Sequence, residues 1–340
     1  MLIDAFFEKG RTFLGCRFPI MCGAMTWVSD PRLVSAVGNA GAFGLLAGGN
    51  TPVEVFARQI DETRELTDQP FGVNLITLAP AYREQLDMVC TKGCDVVVFA
   101  GGIPKKGEIA KVRDCGARVI CFAPTAPLAH KLIDRGADAL MLEGSEAGGH
   151  IGPVALSVLL QQILFTVDSV PIFIAGGIAT GRMMAHLLMM GAAGVQMGTR
   201  FVMSEECAAH PAFKETFRRA RARDAVATPQ FDSRLPVIPV RALKNEGTRN
   251  FGRLQLELLR RLDAGEIDRQ EAQFEVERFW VGALREAVIG GDVSGGSLMA
   301  GQSVGLADRI MPLKAIIGEM IGDAEAEVQR LKTIFNRDFC

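Results

Sequence analysis

Short apolar runs alternate with segments of helical pattern over roughly the first 200 residues of the chain. Each run is nearly continuously apolar, as expected for a strand that is buried on both faces of a parallel sheet. The runs begin at eight positions: Pro19, Phe43, Phe71, Asp95, Arg118, Ala139, Pro171 and Gly194. Eight such strands, with helical segments such as residues 51–66 and 181–191 between them, predict an α/β fold of the (β/α)8 TIM barrel type. A doubly wound sheet is the alternative, but it would not need eight strands.

The pattern changes after Phe201. Residues 205–290 are charged and helical in pattern, without the alternation of strands, which predicts a smaller, mostly helical subdomain appended to a barrel of residues 15–204. The last segment, about residues 291–335, is amphipathic enough to be a closing helix that packs back on the barrel. We expect the helical subdomain to form a lid over the active site and to supply the substrate groove, although it could instead only stabilise a dimer.

Composition narrows the class of partner. The chain has 37 basic and 39 acidic side chains, so its net charge of -2 gives no basic field for nucleic acid. It has neither a signal-peptide pattern at its start nor an apolar run of membrane-spanning length, which predicts a cytoplasmic protein that acts on small molecules. The eight cysteines lack zinc-ribbon spacing, so we expect reduced, structural thiols and no metal site.

Glycine and polar residues follow the predicted strands at their carboxyl ends, where barrel enzymes build their active sites. Two such segments, "AGGIATG" from Ala175 and "QMGTR" from Gln196, follow the last two predicted strands. Their backbone N–H groups could hold a phosphate, although glycine also occurs in plain turns. Asn74 could bond a heterocyclic ring by its amide, or it could cap the following turn.

His150 lies in "SEAGGHIG", directly after the sixth predicted strand. A lone histidine is more often structural, but the flanking glycines leave this imidazole free to point at a bound ligand. Its chemistry suits proton transfer near neutral pH, so we predict that His150 is catalytic. Glu143 and Glu146 could orient it or hold a cation.

The chain resembles the family of FMN-dependent barrel enzymes that contains enoyl-acyl-carrier-protein reductase II and nitronate monooxygenase. The resemblance runs from about Phe18 to Leu306 and is carried by "PIMCGAMTWVSDPRLVSAVGNAGAFG", "RGADALMLEGSEAGGHIG", "PIFIAGGIATG", "VQMGTRFV", "HPAFKE", "VRALKN" and "GDVSGGSLMAGQ". It implies that the barrel binds FMN and that His150 transfers a proton. The residues it implies for the cofactor are Gly23, Ala24, Met25, Asn74, Glu143, Gly149, Ala175, Gly176, Gly177, Gln196, Met197, Gly198 and Thr199. Cys22, Ala24 and Ile103 depart from the family's usual residues.

The resemblance implies two activities. In the first, NADH or NADPH reduces the flavin, which reduces the double bond of an enoyl thioester, either a small molecule or an acyl-carrier-bound substrate. In the second, the enzyme oxidises a nitronate with dioxygen. Ser297 and Gln302 are expected to line the substrate site, and Arg241 and Lys244 to meet substrate or nicotinamide phosphates. A homodimer is expected. A flavin-binding protein without turnover and an IMP dehydrogenase-like barrel are the remaining alternatives.

Overall fold

The computed structural model describes residues 1–235 and 238–338 of the chain. Eight parallel strands close into a barrel, which confirms the predicted fold and all eight predicted strands. In chain order the barrel strands are β1 (Ile20–Cys22), β2 (Phe43–Ala47), β3 (Gly72–Ile76), β4 (Val96–Ala100), β5 (Arg118–Phe122), β6 (Ala139–Glu143), β8 (Ile172–Ala175) and β9 (Gly194–Met197). Strand β9 pairs with β1 and completes the closure.

Helices precede, connect and follow the barrel strands. They are α1 (Glu8–Leu14), α2 (Pro31–Asn39), α3 (Val53–Leu66), α4 (Tyr82–Lys92), α5 (Lys106–Asp114), α6 (Ala126–Asp134), α7 (Leu156–Leu159), α8 (Gly181–Met189), α9 (Thr199–Val202), α10 (Pro211–Arg219), α11 (Glu246–Asp263), α12 (Arg269–Val288) and α13 (Leu313–Asp338). The last helix, α13, packs against α8, where Gly181 lets the two backbones approach closely. Within the described ranges, no helix combines the length and the apolarity needed to cross a bilayer.

Apolar side chains fill two layers on either side of the strands. The interior layer includes Met21, Phe43 and Phe173, and Phe13 and Leu14 of α1 join it. The other layer lies between the strands and the surrounding helices and takes the alternate residues, as the two-residue period of a strand requires. The barrel is therefore a packed core, and enzymes of this fold carry their active sites at the carboxyl ends of the strands.

Residues 205–290 are mostly helical, but they also contain β-structure. Two short strands, β10 (Ala225–Ala227) and β11 (Val240–Leu243), form a small antiparallel sheet with β7 (Gly149–His150), which belongs to a barrel loop. Strands of two to four residues are too short to show an alternating pattern, and their pairing depends on distant segments. This sheet joins the loop that carries His150 to the appended segment.

Helices α11 and α12 enclose a separate apolar cluster that includes Phe251, Val276 and Trp280. Phe213 and Phe217 of α10 instead join the layer that surrounds the barrel. A self-contained helical unit therefore begins later in the chain than residue 205. Its role as a lid stays a prediction.

Candidate active site

Three polar side chains end inward-facing rows of the barrel. Ala139 and Met141 belong to the interior layer, so Glu143 continues their row at the carboxyl end of β6. Asn74 on β3 and Gln196 on β9 hold corresponding positions, because their neighbours in sequence pack in the outer layer. The mouth of the barrel therefore carries two amides and one carboxyl group above an apolar interior.

The loop after β1 meets the loop after β9. The backbone N–H of Gly23 donates to the carbonyl oxygen of Met197 at 2.9 Å. A side chain on Gly23 would lie 3.3 Å from the amide of Gln196, and one on Gly198 would lie 3.3 Å from the sulfur of Met25. The structure thus brings these five predicted cofactor residues together at one side of the mouth.

Two departures from the family pattern lie next to this contact. Cys22 is fully buried in the layer between strands and helices, and burial raises the pKa of its thiol. Ala24 packs against the interior layer. The thiol therefore stays neutral and lies behind the strand. The third departure, Ile103, is exposed on the loop after β4.

The loops after β6 and β8 form a backbone cradle. Glu143 pairs with Ala175 in the sheet, and the N–H of Gly144 donates to the carbonyl oxygen of Ala175 at 3.0 Å. Gly176 and Gly177 have φ angles of 90° and 72°. This left-handed conformation favours glycine, and a Cβ on Gly176 would lie 2.8 Å from the carbonyl oxygen of Gly144. The two glycines of "AGGIATG" at positions 176 and 177 are therefore favoured by the backbone conformation, and Gly176 also by this close packing.

The carboxyl group of Glu143 is held in an unusual electrostatic environment. Burial raises its pKa from 4.5 to about 8, and no neighbouring charge or hydrogen bond among the described residues offsets that rise. Removal of a carboxylate from water disfavours its charged form, so the group is mostly neutral at pH 7. A neutral carboxyl group can donate a hydrogen bond to a ligand acceptor as well as accept one.

The buried amides at the mouth have unused hydrogen-bonding capacity. Asn74 donates to the carbonyl oxygen of Val98 at 3.2 Å, and both its side chain and that of Gln196 are only 8% exposed. The Oε1 atom of Gln196 has no hydrogen-bond partner in the described part of the chain. Buried polar atoms are almost always satisfied, so an unpaired one at a barrel mouth fits a polar ligand.

His150 extends from the short strand β7. The backbone positions of Gly149 and His150 pair with Arg241 and Val240 of β11, and the imidazole is 40% exposed. Its Nε2 atom lies 3.3 Å from a carboxylate oxygen of Glu277, which is on α12. Nothing in the sequence distinguishes Glu277 from the other glutamates of this charged helix.

Glu146 does not orient His150 but accepts hydrogen bonds from backbone N–H groups of two other segments. Its carboxylate accepts the N–H of Leu156 at 3.1 Å, at the start of α7. Its carbonyl oxygen accepts the N–H of Gln302 at 2.9 Å, and the N–H of Gly301 donates to Oγ1 of Thr199 at 3.0 Å. The C-terminal segment around Gly301 is therefore tied to the loops after β6 and β9.

A cavity of about 480 Å³ opens beside the glycine cradle. Its volume is within the range of small-molecule sites, which is about 300–1,000 Å³. Its lining is Glu146, Leu156, Ser157, Leu160, Gly176, Gly177, Met183, Arg221, Ala222, Gln302, Ser303, Gly305 and Leu306. Gln302 thus lies near the predicted phosphate loop. Arg221 was missed because it belongs to an arginine run that is more typical of a solvated helix face.

The other predicted substrate residues lie elsewhere. Arg241 donates to the carbonyl oxygens of Ser145 at 3.0 Å and Ala225 at 2.7 Å, and burial lowers the pKa of its guanidinium. Lys244 is exposed. Ser297 is 1% exposed, with its N–H bonded to the carbonyl oxygen of Ala283 on α12. Ser297 is therefore packed under the helical subdomain and does not line the cavity.

Known proteins are similar to this chain in sequence and in architecture. A family model described as nitronate monooxygenase matches residues 9–86 and 76–323. A carboxyl-CoA dehydrogenase of Mycobacterium tuberculosis, named for a 5-hydroxy-7a-methyl-1-oxo-octahydro-1H-indene substrate, is 31% identical over 93% of this chain and 95% of its own. FabK from Thermotoga maritima is 35% identical, with a TM-score of 0.85 over 95% of this chain and 98% of its own.

A nitroalkane oxidase from Streptomyces ansochromogenes is 26% identical, with a TM-score of 0.78 over 93% of this chain and 98% of its own. These proteins are oxidoreductases, and the match extends over the barrel and the appended helices alike. The chain is therefore an oxidoreductase that belongs to the nitronate monooxygenase family.

Proposed function

We propose that the barrel mouth binds FMN. Support comes from the Oε1 of Gln196, which has no partner among the described residues, from the raised pKa of the Glu143 carboxyl group and from the left-handed backbone at Gly176 and Gly177. The amides and the carboxyl group would meet the polar edge of the ring, and the glycine N–H groups would hold the phosphate. When bound, FMN supplies two-electron redox chemistry. The other predicted cofactor residues keep their roles as part of this proposal.

We propose further that the enzyme acts on the α,β carbon–carbon bond of an acyl thioester, with NADH or NADPH as reductant. The observation that carries this proposal is the partly exposed imidazole of His150 beside the mouth, where it can exchange a proton with a bound substrate. FabK is an enoyl-acyl-carrier-protein reductase, and the mycobacterial relative is named for a CoA thioester. Both similarities favour a thioester over a nitronate as the substrate of this chain.

In this reaction the β-carbon of the enoyl thioester would receive a hydride that originates from NADH or NADPH, and His150 would donate its proton to the α-carbon and regain one from solvent. The helical subdomain would shield the reacting atoms from water, which strengthens electrostatic interactions in the site. Lys244, which is exposed, could meet the phosphates of a carrier or of the nicotinamide nucleotide. A cytoplasmic homodimer stays part of the proposal.

A second candidate is nitronate oxidation with dioxygen. It is supported by the description of the matching family and by the similarity to a nitroalkane oxidase. In that reaction His150 would act as a base and remove a proton from the substrate carbon. The two candidates use the same histidine and differ in the substrate that reacts at the mouth.

One experiment separates the candidates. The flavin released from purified protein is identified by mass spectrometry, and FMN is the expected result. The reduced enzyme is then mixed anaerobically with a crotonyl thioester, and separately with propyl-2-nitronate and oxygen. Reoxidation by the thioester supports the first proposal, and reoxidation that requires nitronate and oxygen supports the second. Purified protein that binds FAD or no flavin would contradict both.

A further inference from the structure

The contact between His150 and Glu277 joins two separate parts of the molecule. His150 lies on a barrel loop, and Glu277 lies on α12 of the helical subdomain. The 3.3 Å between Nε2 and the carboxylate oxygen is an ion-pair distance when the imidazole is protonated. The two side chains are 40% and 30% exposed, so the pair is open to solvent and is not buried packing.

The backbone of His150 is fixed by the small sheet. Residues 149–150 pair with residues 240–241, and the N–H of Ile151 donates to the carbonyl oxygen of Pro239 at 3.0 Å. Only the side-chain torsions of His150 remain to decide where its ring points. A proton-transfer histidine usually needs a third group to set its orientation and tautomer. Glu277 is placed to be that group.

The helix that carries Glu277 is itself anchored at the barrel mouth. The indole Nε1 of Trp27, on the loop after β1, donates to the carbonyl oxygen of Val281 at 3.2 Å. The guanidinium of Arg285 lies 5.8 Å from the centre of the Trp27 ring. Glu277, Val281 and Arg285 are four residues apart and share one face of α12. This face of α12 therefore contacts the loop that carries Trp27 and the loop that carries His150. These contacts determine where the Glu277 carboxylate lies.

We propose that Glu277 is a positioning residue for His150. Its carboxylate accepts the Nε2–H of the ring, so that Nδ1 is the nitrogen that exchanges a proton with the substrate. The helical subdomain then takes part in the chemistry by orienting the proton-transfer group. This inference rests on the proposed function, in which His150 transfers a proton.

The test compares Glu277→Gln, Glu277→Asp and the control Glu275→Gln. Glu275 is on the same helix with similar exposure, but it pairs with Arg261 of α11. Rapid-mixing kinetics measure flavin reduction and reoxidation separately. We expect Glu277→Gln to keep flavin content, reduction rate and KM, and to slow reoxidation by substrate about 10- to 100-fold. That loss is smaller than the about 10²- to 10⁴-fold supplied by a positioned acid or base. Glu277→Asp should restore part of the rate.

A double variant tests whether Glu277 acts through His150. In a His150→Ala background, Glu277→Gln should cause no further loss, because residues that act through one group are not additive. A full additional loss would mean that Glu277 acts independently of His150. If the parent enzyme turns over and substrate reoxidises the Glu277→Gln variant at the parental rate, the proposal is overturned.

Nuclear magnetic resonance tests, without any substrate, whether Glu277 positions the His150 ring. The protein is labelled with ¹⁵N-histidine, and the His150 ring signals are assigned as those lost in His150→Ala. Glu277→Gln should shift these ring signals, and Glu275→Gln should leave them in place. Unchanged His150 signals in Glu277→Gln would overturn the proposal. A parent enzyme that neither the thioester nor the nitronate reoxidises would instead contradict the proposed function, while the ring signals still report the contact.

Discussion

The indole of Trp27 donates a hydrogen bond to the carbonyl oxygen of Val281 and so ties the loop after β1 to α12. Trp27 has a φ of 65°, and among the described non-glycine residues it alone has a positive φ. A bulky residue in this conformation is strained by roughly 1–3 kcal/mol and persists only where its surroundings hold it. The strain therefore lies where the barrel mouth meets the helical subdomain.

We expect Trp27→Phe to loosen α12 without unfolding the barrel. The variant loses a hydrogen bond whose net contribution is about 0.5–1.5 kcal/mol, and it keeps an aromatic ring for Arg285. Amide exchange between residues 277 and 285 should become up to about tenfold faster by mass spectrometry. Exchange in β4 serves as the internal control. Protection of α12 equal to that of the parent would show that the bond does not anchor the helix.

We expect Gly176→Ala to lose most of its flavin. The added Cβ would meet the backbone of Gly144 at 2.8 Å, and alanine is strained at a φ of 90°. Absorbance of the purified protein measures the flavin content. Gly107→Ala on α5 is the control, because no atom lies within 4 Å of its added Cβ. Normal flavin in Gly176→Ala would contradict the phosphate cradle.

We expect His150→Ala to keep the flavin and its reduction by NADH or NADPH. The second half-reaction should slow by about 10² to 10⁴, the usual contribution of a positioned acid or base. Rapid mixing with substrate measures the loss. His130→Ala, which removes an exposed histidine of α6, is the matched control. A parental rate of reoxidation in His150→Ala would assign that histidine a structural role.

Glu143 should make the flavin-free protein less stable at high pH. The folded chain holds this proton up to a pKa of about 8, whereas the unfolded chain releases it near 4.5. The folded state therefore binds more protons between these values, and the contribution to stability falls as pH rises through that window. Glu143→Gln should raise the melting temperature more at pH 9 than at pH 5.

The control for this pH dependence is Glu286→Gln, because the Glu286 side chain is 60% exposed. Its effect on the melting temperature should be small and equal at both pH values. A Glu143→Gln effect that does not grow with pH would contradict a buried carboxyl group with a raised pKa.

We expect Lys244→Glu to weaken binding of the carrier-bound substrate or of the nicotinamide nucleotide. Its exposed charge would meet ligand phosphates, so KM should rise and its salt dependence should flatten, while flavin content stays constant. Lys131→Glu on α6 is the control. Arg241 is a poorer probe, because its guanidinium already bonds two backbone carbonyls. Unchanged kinetics with a lost dimer would mean that the subdomain serves only assembly.

The barrel and its eight strands can be predicted from the amino-acid sequence. Continuous apolar runs result from burial on both faces, and this pattern is local, so all eight strands are visible without the structure. The assignment of Asn74, Glu143 and Gln196 to the inner face comes from the structure, because a strand that is apolar on both faces does not reveal which face is inner. The glycines at 176 and 177 are visible as a motif, although the reason for them, the nearby backbone of Gly144, is not.

Packing between distant segments determines which residues meet at the mouth. Nothing near Glu277 in the sequence distinguishes it from other glutamates of α12, and its contact with His150 depends on how that helix packs. The small sheet of β7, β10 and β11 was missed for the same reason, since its strands are defined by pairing across long loops. A periodic pattern records only whether a side chain is buried. The partner that it faces is set by the packing of the whole chain.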